Sequence, residues 1–167
     1  MLQDIADPDW ILRPELAPAL QAICDAGLTF DALIKPLHLS RIPILAERFP
    51  RLRIVVDHGA KPDIASGEFR VWAAGMERIA GETSAYCKLS GLLTEAGART
   101  DLESVRPYAE LILNTFGPER VLWGSDWPVL ELAATYKTWC EMALELIPDS
   151  DRSAILESNA MKAYALG

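Results

Sequence analysis

Two runs of this sequence gather side chains able to activate water: Asp57-His58-Gly59-Ala60-Lys61-Pro62 and Gly124-Ser125-Asp126-Trp127-Pro128. A third run sets Lys88 ahead of Ser90-Gly91, and a fourth is Lys35-Pro36. A carboxylate beside an imidazole can hold and move a proton, and a nearby cation can steady the charge that builds when water attacks a carbonyl. Each residue also has a purely structural use. Asp126 fits as the cap of a following helix, a role that coexists with a catalytic one. His58 fits as a hydrogen-bonded core residue and Lys61 as a solvated loop charge. Lys88 stands between apolar Cys87 and Leu89, where an unpaired ammonium is costly, and this favours a function. His38, in the loop after Lys35, reads as a surface residue.

The elements that must position these groups alternate. Runs 28–34 (LTFDALI), 52–57 (LRIVVD), 84–89 (SAYCKL) and 121–125 (VLWGS) read as strands covered on both faces. Amphipathic helices are expected over 14–26, 40–49, 69–80, 102–116, 131–146 and 150–166. Gly27 is placed to end the first of them, and Ser40 and Asp101 stand where N-caps belong. The strand starts recur at the length of successive βαβ units, which predicts a parallel sheet in one α/β domain. Pattern alone leaves two architectures: a small open doubly wound sheet, or half of a (β/α)8 barrel. No strand is followed by a Gly-rich phosphate turn, which weakens the first. In both, the polar runs fall just past the carboxyl ends of strands, where such folds put their chemistry.

Composition narrows the partners. Of 167 residues, 50% are hydrophobic and 24% charged, a globular balance. A formal net charge of −8 with no basic cluster argues against nucleic acid. Apolar runs are too short for a membrane span, and MLQDIADPDW lacks the basic and apolar regions of a secretory signal. A cytoplasmic protein acting on a small molecule is expected. Cys24, Cys87 and Cys140 lack metal-type spacing and read as reduced and mostly buried, with a reactive thiol at Cys87 as the alternative.

Taken together, VVDHGAKP, YCKLSGL, FGPERVLWGSDWPV and SNAMKAYAL resemble the amidohydrolase-related metal-dependent hydrolases, in particular the subgroup of L-fuconolactonase and L-rhamnonolactonase-type enzymes. The resemblance runs the length of the chain, with its blocks in family order. It implies an α/β fold in which residues 1–167 form a partial domain, the C-terminal half of a (β/α)8 TIM barrel with strands five to eight. MLQDIADPDW resembles the tail of strand four, ending at Gln3. The family's His-x-His pair on strand one has no counterpart here.

The implied activity is hydrolysis of a sugar (aldono-) lactone by water. Asp126 would be general base and acid, and His58 would contact the substrate or polarise its carbonyl. Lys61, Lys88 and Lys35 would bind the substrate, and Trp127 would wall the sugar site. The family often binds a divalent metal such as zinc, for which His58 and Asp126 are the ligands on offer. The strand-five histidine ligand is replaced in the run IKP, so catalysis without a cofactor is the other expectation. Decarboxylation or another hydrolysis of the same superfamily is the alternative chemistry. A half-barrel with two open edges and a bare inner face would be an inert fragment, or would pair into a homodimer that closes the ring.

Overall fold

A computed structural model describes residues 4–166. Four parallel strands, β1 (Thr29–Ala32), β2 (Arg53–Val56), β3 (Tyr86–Leu89) and β4 (Val121–Trp123), form one sheet in sequential order. Between and around them run α1 (Ala17–Asp25), α2 (Arg41–Arg48), α3 (Arg70–Glu82), α4 (Leu92–Glu95), α5 (Leu102–Phe116), α6 (Tyr136–Leu146) and α7 (Asn159–Tyr164). The expected parallel α/β alternation is observed, with each strand shorter than its apolar run. The segment expected to place Gln3 at a strand end lies outside the described residues.

One face of the sheet, carrying Ile54, Val56, Cys87, Leu89 and Val121, joins the main core with Ile42, Leu45, Trp72, Met76, Ile79 and Ile112 from the helices. The other face carries Val55 and Leu122, both buried against Ala160, Ala163 and Tyr164 of the C-terminal segment. That face is therefore not bare. The Thr29 hydroxyl and Arg53 Nη1 both donate to the Ala163 carbonyl, at 2.6 and 2.9 Å. The buried Asn159 amide donates to the carbonyls of Pro118 and Val121, at 2.7 and 2.8 Å, and so pins α7 to the start of β4.

Asp101 caps α5 as expected, accepting the Ser104 N–H at 2.9 Å. Ser40 precedes α2, but its hydroxyl caps nothing and instead accepts from Arg41 Nη1. Gly27 ends α1 at φ +66, and the amides of Gly27 and Leu28 bond back to Cys24 and Ile23. The two long helices expected after β4 are divided. A 3-10 turn (Val129–Leu132) precedes α6, and a π turn (Ala154–Ser158) leads into α7. His38 corrects the surface expectation: it is 2% exposed, with Nδ1 accepting the Lys35 N–H and Nε2 facing the Ile5 carbonyl. Among the described residues no helix is long and apolar enough to cross a membrane.

Candidate active site

Past the end of β2 the backbone makes a turn that L-residues resist. His58, Gly59, Ala60 and Lys61 all have positive φ, between 50 and 60°. Non-glycine residues there cost of order 1–3 kcal/mol each unless the surroundings hold them. Here they are held. Trp72 Nε1 donates to the Gly59 carbonyl at 2.7 Å, and the Lys61 amide bonds back to the His58 carbonyl at 2.8 Å. Past β4, Asp126 has φ 59, and Trp139 Nε1 fastens the Gly124 carbonyl at 2.8 Å. Buried tryptophans thus hold the strained turns at the two strand ends that carry His58 and Asp126.

These turns bring two side chains together. His58 Nε2 lies 3.5 Å from Asp126 Oδ1, with side chains 18% and 11% exposed, so both are sheltered yet reachable from solvent. The other ring nitrogen, Nδ1, lies 2.8 Å from Ser90 Oγ at the end of β3. Burial pushes the Asp126 carboxyl above the usual aspartate range. The neighbouring His58 and Lys61 pull it down, while Asp57 and Glu95 push it further up. Lys61 is ion-paired with Glu95 of α4. Glu95 is a site neighbour that sequence reasoning missed, because an acid in the run LLTE looks like any solvated helix charge.

Lys88 takes another direction. Its Nζ lies 2.7 Å from Asp57 and 3.2 Å from Asp31, and 5.4 Å from the centre of the Tyr164 ring. The Tyr164 hydroxyl donates to Asp31 at 2.5 Å. Burial works against the charge on Lys88, but these partners outweigh it and hold the ammonium above the usual lysine range. Burial and Asp31 push the Tyr164 hydroxyl up to about 12. This cluster lies on the sheet face covered by α7 and touches the site through Asp57, whose charge bears on Asp126. Trp127 is 62% exposed, and its indole donates to Glu131 of its own loop. Lys35 is partly buried where the chain leaves β1. Cys87 is fully buried on the helix side of β3, and burial pushes its thiol above the usual range, which disfavours the thiolate there.

A zinc ion takes three or four protein ligands. His58 and Asp126 are two suitable donors, but no third joins them in a metal-binding group among the described residues. The described residues do not by themselves make a metal centre.

The chain matches the Amidohydrolase family over residues 2–166. It is 45% identical over 174 residues to the L-fucono-1,5-lactonase of Burkholderia ambifaria, an alignment spanning 99% of this chain and 60% of that protein. It is 32% identical to the L-fucono-1,5-lactonase of Burkholderia multivorans over 82% of this chain and 51% of that protein. An amidohydrolase from Burkholderia multivorans, crystallised with bound zinc, superposes with a TM-score of 0.91 at 29% identity, covering 99% of this chain and 62% of that one. The chain thus spans 60% and 51% of the length of these two L-fucono-1,5-lactonases. The family match runs through nearly every residue that builds the sheet and its polar mouth, and on that ground this chain belongs to the amidohydrolase family.

Proposed function

We propose that the complete protein hydrolyses a sugar lactone, and that this chain contributes strands five to eight of a (β/α)8 barrel with the proton-handling side of the site. The observation that carries this is the Asp126 carboxylate 3.5 Å from the His58 imidazole, at the ends of strands of one parallel sheet. Ionised Asp126 takes a proton from water as the water attacks the lactone carbonyl. Cationic Lys61 and the imidazole steady the oxyanion that forms. The ring C–O bond then breaks, and the proton on Asp126 passes to the departing alkoxide oxygen, which becomes a hydroxyl. The product is an open hydroxy acid, with no redox partner required.

The identity to two L-fucono-1,5-lactonases points to an aldonolactone as substrate. Lys35, Lys88 and Trp127 are assigned to substrate binding, with Lys88 acting through the charges of Asp57 and Asp31 rather than as a free cation. A divalent metal such as zinc would need ligands beyond His58 and Asp126. The test is a panel of aldonolactones and aromatic carboxylates offered to the purified full-length gene product. Acid release from aldonolactones, with aromatic carboxylates left unchanged, is expected. Carbon dioxide release from the carboxylates without lactone opening would replace hydrolysis by decarboxylation.

A further inference from the structure

The Ser90-Gly91 pair at the end of β3 takes no part in the bond-making steps, yet it surrounds the ring of His58. Gly91 has φ +66, and a Cβ there would stand 2.7 to 2.9 Å from His58 Cβ, Cγ and Nδ1, so the ring rests on bare backbone. Ser90 is 1% exposed, and the ring nitrogen 2.8 Å away is the hydrogen-bond partner of its hydroxyl among the described residues. Gly124 leaves room for Ser90 from the other side: a Cβ on Gly124 would lie 3.3 Å from Ser90 Cβ and 3.5 Å from its Oγ.

We infer that Ser90 fixes the tautomer of His58, donating its hydroxyl hydrogen to Nδ1 so that the neutral ring carries its proton on Nε2. A hydroxyl brings one hydrogen, and a buried hydrogen without an acceptor is costly. If Nδ1 held the proton, Ser90 would accept it, and its own hydrogen would be left with no acceptor among the described residues. Donation to Nδ1 satisfies both groups. The proton on Nε2 then faces Asp126 across 3.5 Å, too long for a good hydrogen bond, so a substrate oxygen that approaches from one side can compete for it. Neutral His58 is accordingly a hydrogen-bond donor to the carbonyl, and Asp126 alone is the base. Ser90 is a positioning residue acting through His58. This division of labour rests on the proposed lactone hydrolysis, whereas the tautomer does not.

The chain holds its own reference. Of its two histidines, His38 has Nδ1 accepting from the Lys35 backbone N–H at 3.1 Å. An amide cannot reverse its role, so His38 carries its proton on Nε2. Heteronuclear NMR of histidine-labelled protein, at a pH where both rings are neutral, should show the same tautomer for His58 as for His38. In Ser90→Ala the His58 nitrogens should move toward the averaged pattern of a free imidazole, while unchanged His38 signals certify the fold. A His58 proton on Nδ1 in the wild type overturns the inference. So does a spectrum that Ser90→Ala leaves unaltered. With an aldonolactone, Ser90→Ala should lower kcat roughly 10- to 100-fold with little change in KM. The spectrum is read without substrate, so a protein that opens no lactone would end the proposed function and leave the tautomer result standing.

Discussion

At neutral pH an ionised Asp126 occupies surroundings that resist its charge, through burial first and then the acids Asp57 and Glu95. The sign of the consequence follows from linkage. The folded carboxyl titrates above its unfolded value of about 3.8, so below that value the protonated group carries no penalty. The penalty grows as pH rises through the folded pKa. Asp126→Asn should therefore raise the melting temperature near pH 7, and the gain should shrink as pH is lowered toward 3.8. A variant destabilised equally at both ends would contradict the raised carboxyl. The same ionisation sets the acid limb of kcat/KM, which should fall off above the ordinary aspartate value as Asp126 takes up its proton. Gly91→Ala places a methyl against the His58 ring at a positive φ. It should cost about 1–3 kcal/mol in denaturant unfolding and most of the activity. At this scale the sequence told much of the placement: His58 and Asp126 were legible as polar side chains past the carboxyl ends of strands, and they lie 3.5 Å apart. The pairing of Lys61 with Glu95 was not, because an ion pair between a loop and a separate short helix leaves no trace in local spacing.

Elements were legible where hydrophobic period and chain length agreed, as for α3, α5 and the four strands. They were misread where polar anchoring decides instead. The run expected as one helix over 131–146 breaks because Thr135 begins α6 anew, accepting the Thr138 N–H. His38 looked exposed, since nothing in its neighbourhood announced the Ile5 carbonyl that receives its ring. Caps divide in the same way. Asp101 binds the Ser104 amide, so Asp101→Ala should lower stability by about 1 kcal/mol in urea unfolding and spare activity. Ser40 makes no such bond, and its replacement by alanine should cost distinctly less. Equal losses for the two would show that the capping geometry is misassigned.

For the whole molecule, the sheet face expected to be bare is covered by the chain's own C-terminus. Buried Asn159 ties α7 to Pro118 and Val121, and Tyr164 reaches Asp31. Asn159→Ala should cost about 1–3 kcal/mol and speed hydrogen exchange in α7 ahead of the sheet, since it strands buried carbonyls. Sequence could not reveal this cover, because SNAMKAYAL looks like any terminal amphipathic helix until its partners are known. Pairing of two copies to close a ring stays a proposal, and sedimentation of the purified protein would report it. Everything proposed for catalysis turns on Asp126 accepting a proton beside His58. The most direct test compares aldonolactone turnover by wild type and by a folded Asp126→Asn. A loss of at least about 100-fold in kcat, with substrate still bound, is expected. Turnover within a few-fold of wild type would remove Asp126 from the reaction.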